Sequence, residues 1–236
     1  MMELFPRLLQ SRIAGSGSTP LITYYDQTRG ERIELSGRSF GNWVDKTAGL
    51  LTDEILVEPG DRVRLGLAAT HPAHWVTLVW AAAGWRAGCA VTLRSDDDAA
   101  VDVIGPDQPP GPGETIACSL HPFGLGFSTP LPQGVLDYGV EVRAHPDVFT
   151  GPQPAPADVA WIDDERTLTH SDVVSGPVGD PARRLIVPGP AAWSTVYDAL
   201  VEPIRTGGST VIVVGADADR LAEIAAVERA MPMFRR

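Results

Sequence analysis

The sequence has 236 residues, 44% hydrophobic and 21% charged, and its 19 basic side chains face 30 acidic ones for a net charge of −11. At roughly 150 residues per domain this is one or two domains with a substantial core. The charge has the wrong sign for gripping nucleic acid phosphates, no apolar run approaches the roughly 18 residues of a membrane span, and residues 1–10 lack a secretory signal pattern. A cytoplasmic location is therefore expected, with no nucleic acid or membrane as partner. Lys46 is the one lysine, so any mechanism that needs a catalytic amine has one candidate.

Residues 21–35 read as a β-hairpin: LITYYD and RIEL are β-rich, and Gly30 supplies a positive φ for the turn. Ser36 is a predicted N-cap, and Phe40, Val44, Thr47, Ala48 and Leu51 follow at helical spacing through about Glu54. VEPGD stops that helix, and residues 62–67 alternate as a short strand. Residues 71–87 are apolar almost all round, the pattern of a helix buried between layers, with Gly88 to end it and a strand at 89–93. Later come a strand at 183–187, a helix at 191–205, a strand at 209–214 and a helix at 218–229. This alternation predicts an α/β fold with a doubly wound, mostly parallel sheet, helices on both faces and an N-terminal β-hairpin.

The middle is different. Residues 107–156 form an irregular insert dense in Pro and Gly, with short strands expected at 115–119 and 135–143. It reads as surface connections within one domain spanning 1–236; a linker between two domains is the alternative.

Several constellations invite chemistry. Asp96, Asp97 and Asp98 follow a strand end, where Mg²⁺ would need carboxylates, but a solvated acidic loop or a cap is the commoner use. His71 and His74 have no third ligand and no HExxH pattern, so solvated histidines at a helix entrance are preferred to zinc. His121 has Ser119, Ser128 and Asp137 near in sequence, yet the GxSxG elbow of a hydrolase is absent. Gly124-x-Gly126 precedes no helix and GxxxxGK[ST] does not occur, so no nucleotide fingerprint is present. Trp75, Trp80 and Trp85 at helical spacing are expected in the core, as are the thiols of Cys89 and Cys118. No metal and no cofactor is expected.

Taken in order, the LITYYD…GERIELS hairpin, the helix ending in AGLL, VEPGDRVRLGL, the buried helix and WRAGCAVTL resemble the opening of the acyl-adenylate-forming superfamily. That superfamily comprises acyl-CoA synthetases, luciferases and the adenylation domains of peptide synthetases. WSTVYDALVEPIRTGGSTVIVVGADADRLAEIAAVE is similar to its later helix–Gly-Gly–strand–helix unit, so the resemblance covers residues 21–103 and 158–227, and 111–156 fits it poorly. SLHPFGLGFSTPLPQGVLDYGVEVRAHPD resembles a narrower group of short, adenylation-like bacterial proteins.

The departures from that pattern bear on function. Where the family wraps ATP phosphates with a Thr-Ser-Gly-Thr-Thr-Gly-x-Pro-Lys-Gly stretch, this chain keeps the flanks Ala160-Trp161-Ile162 and Leu168-Thr169-His170. Between them stand Asp163, Asp164, Glu165, Arg166 and Thr167. The glycines that let backbone approach phosphate are missing, and three carboxylates repel a triphosphate. The family's aromatic-His element reads Val187-Pro188-Gly189-Pro190-Ala191. No counterpart of the second subdomain's ribose-binding acid or of the catalytic lysine is visible.

The resemblance therefore implies the first subdomain of such an enzyme without adenylation activity. The expected function is a non-catalytic module that binds a partner protein or a small ligand at the carboxyl edge of its sheet. Ser119, His121, His170 and Trp193 are the candidate lining residues, and no catalytic residue is assigned. The alternative is an AMP-binding, acyl-CoA-ligase-like enzyme completed by a partner chain that supplies the missing domains. A subdomain lacking its neighbour also exposes an apolar face, the expected contact of a homodimer or a fixed partner.

Overall fold

The computed structural model describes residues 3–176, 178–189 and 192–233. The strand–helix alternation builds two sheets rather than one. The first has the order β12-β10-β11-β1-β2, from β1 (Pro20–Asp26), β2 (Glu31–Ser36), β10 (Arg183–Ile186), β11 (Ser209–Val214) and β12 (Met231–Pro232). It is parallel except for β2, which returns from β1 as the expected hairpin. The second has the order β7-β6-β5-β3-β4-β8-β9. Its strands are β3 (Arg62–Leu65), β4 (Ala90–Thr92), β5 (Val101–Ile104), β6 (Thr115–Ala117), β7 (Val135–Asp137), β8 (Val159–Ile162) and β9 (Thr167–Thr169), with β9 alone antiparallel.

Helices fill the space between the sheets. Helix α2 (Gly37–Gly49) packs on β1 and β2, α4 (Trp75–Ala87) packs on β3 and β4, and the two helices pack on each other. All 13 residues of α4 are buried, as its continuous apolar sequence requires, and Trp75, Trp80 and Trp85 belong to the core. Cys89 and Cys118 are buried free thiols, and burial pushes the Cys89 thiol up to about 12. Ser36 caps α2 by accepting the N–H of Ser39 at 3.1 Å, and Gly88 ends α4 at φ 81°. Alpha-helix α1 (Phe5–Ser16), not anticipated from the sequence, lays Phe5 edge-on against Trp85 with ring centroids 4.9 Å apart.

The outer face of the first sheet carries Tyr25, Leu185, Val211 and Val213, covered by Ile224 of α8 (Ala218–Glu228). Strand parity thus sends Tyr24 inward and Tyr25 outward. The outer face of the second sheet is polar. Arg64 pairs with Asp102 and donates to the Arg94 carbonyl at 3.1 Å, and Thr92 donates to Asp97 at 2.6 Å.

Two boundaries differ from expectation. The strand expected at 135–143 ends at Asp137, whose carboxylate accepts the Gly139 N–H at 3.0 Å and starts the short α5 (Tyr138–Glu141). A cap of this kind diverts an otherwise β-rich segment into a helical turn. Likewise the helix expected at 71–87 starts only at Trp75 as α4, because His74 takes extended backbone and serves as its N-cap, and a separate short α3 (Leu67–Thr70) precedes the bridging residues 71–74. Among the described residues no helix is long and apolar enough to cross a membrane.

Candidate functional site

In the first sheet β10, β11 and β1 run parallel and end side by side at Ile186, Val214 and Asp26. In open α/β sheets ligands bind outside such carboxyl ends. A pocket of about 410 Å³ opens there, walled by Tyr24, residues 69–74, residues 187–189 and residues 213–215. The 69–74 wall follows β3 of the second sheet through α3, so segments from both sheets close the pocket. Pro190 and Ala191, the last residues of the Val187-Pro188-Gly189-Pro190-Ala191 element, lie outside the described residues.

The polar groups of this pocket are few and defined. His74 is 4% exposed and Tyr24 3% exposed, and their rings meet edge to face with centroids 4.9 Å apart. The backbone N–H of Val76 donates to His74 Nδ1 at 3.2 Å. Burial drives the His74 pKa down to about 3, so the ring is neutral and its proton sits on Nε2. Burial also raises the Tyr24 pKa, which keeps its hydroxyl protonated. Next to them His71 Nδ1 contacts Thr70 Oγ1 at 2.9 Å, burial lowers its pKa, and Thr77 Oγ1 donates to the His71 carbonyl at 2.6 Å. The solvated-histidine reading of this pair is thus corrected for His74, which the helix layer buries. The remaining walls are Ala, Pro, Val, Gly and Thr, and among the described residues no Lys, Arg, Asp or Glu lines the pocket.

None of Ser119, His121, His170 and Trp193 lines this pocket. Ser119 and His121 share the turn after β6: Ser119 Oγ donates to the Leu125 carbonyl at 2.5 Å and accepts the His121 N–H at 3.2 Å. His121 Nδ1 accepts the Phe123 N–H at 3.1 Å. His170 opens α6 (His170–Val173) at the end of antiparallel β9, and its N–H bonds the Asp158 carbonyl at 2.9 Å. That places it at the amino-terminal edge of β8, away from the strand carboxyl ends. It is buried, its pKa is pushed down to about 4, and its Nε2 has no hydrogen-bond partner. β6 and β8 are separated by β5, β3 and β4, about 19 Å at the usual strand spacing, so the Ser119–His121 turn and His170 form no common site. Trp193 of α7 (Ala192–Val196) packs on Trp161 with ring centroids 5.2 Å apart.

The β8–β9 connection occupies the carboxyl end of β8, where the resemblance places the family's phosphate loop. Asp163 closes it: its Oδ1 accepts the N–H groups of Glu165 and Arg166, both at 2.9 Å, and its Oδ2 accepts Trp161 Nε1 at 2.9 Å. The Asp163 N–H itself bonds the Arg166 carbonyl at 3.0 Å. Donors that would face a phosphate are consumed within the turn.

The acidic run after β4 is divided: Asp96 pairs with Arg94 at 3.2 Å, and Asp97 accepts from Thr92. Among the described residues no three His, Cys, Asp or Glu side chains are grouped to hold a metal ion. A second groove of about 480 Å³ lies between α2 and residues 143–147, lined by Ser39, Asn42, Trp43, Lys46, Arg143 and Asp147. There Lys46 donates to the His145 carbonyl at 2.5 Å and pairs with Asp147 at 3.0 Å, a role in holding that segment on the helix.

No protein-family model matches the chain. Its sequence is 34% identical over 224 residues, 89% of each protein, to a TIGR03089 family protein of Mycobacterium tuberculosis (strain ATCC 25618 / H37Rv). Its fold matches the N-terminal domain of FACL13 from M. tuberculosis with a TM-score of 0.70 at 15% identity, covering 97% of this chain and 62% of that one. It matches the M. tuberculosis fatty acyl CoA synthetase with a TM-score of 0.69 at 14% identity, covering 96% and 48%. A fatty acyl-adenylate ligase from L. pneumophila, solved with acyl adenylate and pyrophosphate, aligns with a TM-score of 0.69 at 11% identity, covering 97% and 43%. The chain thus spans about half the length of these ligases and synthetases. Its architecture is that of the N-terminal portion of the AMP-binding, acyl-CoA-ligase-like superfamily. Within that class, the chain belongs to the TIGR03089 family.

Proposed function

We propose that this chain is the acyl-binding part of an acyl-CoA-ligase-like unit, and that the groups which activate ATP come from a partner chain. The pocket at the strand ends carries this reading: about 410 Å³, apolar walls, buried Tyr24 and His74, and, among the described residues, no cationic side chain in its lining. Such a pocket suits an acyl chain and its carbonyl and is ill suited to a triphosphate. The Asp163 turn supports the second half of the reading, since it offers carboxylates where phosphates need donors. Lys46, the one lysine, is held by Asp147 and stands in a different groove from the pocket. Phe123 and Val140 of the insert expose apolar side chains, 78% and 57% accessible, that a partner would cover.

A second reading, a module that binds a ligand or a protein with no ligation at all, is favoured by the same closed turn at Asp163. The two differ in one assay. The purified chain, and the complex it forms when purified from its native host, are each given a medium-chain fatty acid, Mg-ATP and CoA, and AMP release is followed. The first reading expects release from the complex and none from the chain alone. Acyl binding by both with no AMP from either supports the second. Turnover by the chain alone contradicts both.

A further inference from the structure

The pocket at the strand ends contains two buried hydrogen-bond donors with no acceptor among the described residues. His74 Nδ1 is occupied by the Val76 N–H, so the neutral ring must present Nε2–H. Among the described residues neither His74 Nε2 nor the Tyr24 hydroxyl has a hydrogen-bond partner, and neither atom is among the fully enclosed unpaired ones. Both side chains are more than nine-tenths buried and line one cavity, so the open face of each donor is the cavity itself. Buried donors are nearly always satisfied, and a ligand or water in the cavity would satisfy these two.

The charge of the site narrows the ligand. Asp26, Arg29 and Asp107 act on the two histidines from outside the lining, and Arg29 is already paired with Glu31 at 3.1 Å. A free carboxylate placed here is desolvated with no cation to pair with, whereas an ester, thioester or amide carbonyl brings an acceptor and no charge. We propose that this pocket selects the carbonyl of an already esterified, thioesterified or amidated acyl group over the free fatty acid, with His74 Nε2–H and the Tyr24 hydroxyl as its two donors. The inference rests on the reading of this pocket as the acyl site. Within the ligase-like unit it assigns this pocket the acyl group once its carboxylate has been converted: the partner chain that supplies the ATP-activating groups takes the free acid, and this pocket holds the esterified, thioesterified or amidated product.

The test uses the whole chain and four probes, methyl hexanoate, S-methyl thiohexanoate, hexanamide and hexanoate, titrated at pH 7 by nuclear magnetic resonance with the His74 ring nitrogens labelled. The three neutral probes are expected to bind at least 10-fold more tightly than hexanoate and to shift Nε2 while leaving Nδ1 in place. Comparison among the three separates ester, thioester and amide as sources of the carbonyl. Tyr24→Phe, which removes one hydroxyl and keeps the ring packing, is expected to weaken the neutral probes about 10-fold with little effect on hexanoate; His74→Phe gives the same result if it folds. Hexanoate binding as tightly as hexanamide overturns the selectivity and leaves the acyl site standing. Failure of all four probes overturns the acyl site itself. Binding unchanged by Tyr24→Phe and without a shift at Nε2 removes these residues from recognition.

Discussion

The backbone N–H of Val76 donates to Nδ1 of His74 at 3.2 Å, and this bond decides which nitrogen of the imidazole faces the pocket. It arises because His74 is the N-cap of α4, with extended backbone at ψ 140°, so its ring folds over the first turn of the helix. A side chain that caps a helix and lines a cavity is fixed in tautomer and in orientation. The same geometry has consequences for stability, pH response and ligand preference.

Acid is expected to destabilise the fold earlier than carboxylate titration alone would. Burial lowers the His74 pKa to about 3 and the His170 pKa to about 4, against 6.5 for an ordinary histidine. Below pH 6.5 the unfolded chain takes up protons that these folded histidines refuse, so stability is full above 6.5 and falls as pH drops. The limiting slope is about 1.4 kcal/mol per pH unit for each histidine. Urea midpoints are expected to fall steadily from pH 6.5 to 5, a window above the range where Glu228 and Asp172, both with lowered pKa values, begin to protonate. Constant midpoints across that window contradict the buried, neutral state of both rings.

His170→Leu is expected to be neutral or stabilising, by up to about 1 kcal/mol, because it removes a buried nitrogen that has no partner. The variant should flatten the acid dependence and leave ligand binding intact, since His170 lies at the amino-terminal edge of β8. Thermal melting at pH 7 and pH 5.5 checks both points. A large loss of ligand binding would place His170 in the site after all.

Gly111→Ala is expected to lower stability by about 1–3 kcal/mol. A Cβ at residue 111 would overlap Asp102 Oδ2, and that carboxylate is held by Arg64 on the outer face of the second sheet. The strain therefore falls on an ion pair that 8%-exposed Asp102 cannot easily leave. Chemical denaturation reads the change; an unaltered midpoint would mean that the 107–113 segment lifts off the sheet at little cost.

Asp163→Ala removes three acceptor contacts, to Glu165, Arg166 and Trp161, and is expected to cost about 2 kcal/mol. Freed backbone N–H groups alone do not make a phosphate site, because Asp164 and Glu165 remain. Equilibrium dialysis with Mg-ATP should show no binding by the variant. Binding gained on this one substitution would show that the turn is a blocked nucleotide loop.

Much of the scaffold is legible in the sequence. The hairpin, the capped α2 and the apolar α4 follow from turn chemistry, Ser36 and unbroken hydrophobicity, each a local signal. The pocket is not local: it joins residue 24, residues 69–74, 187–189 and 213–215 from four distant segments. His71 and His74 at i, i+3 suggest a solvated helix entrance, because spacing gives direction and not depth, and the depth comes from Tyr24 of the other sheet. One signal was available: in the strand LITYYD, Tyr24 and Tyr25 must face opposite sides, so one of them is turned inward with its hydroxyl. Division into two sheets was not readable either, since strand order depends on which helices lie between the layers. Asp137 likewise turned an expected strand into α5 through a cap no propensity foretold.

Thermal melting of the purified chain with hexanamide and, separately, with Mg-ATP, each in large excess, tests the central claim most directly. Saturation at roughly 100 times Kd adds about 2.7 kcal/mol, which for a chain of this size raises the melting temperature by about 5 °C or more. A shift with hexanamide that is lost in Tyr24→Phe, together with none for Mg-ATP, is the predicted result. A shift with Mg-ATP and none with hexanamide would contradict the account and return the chain to nucleotide chemistry.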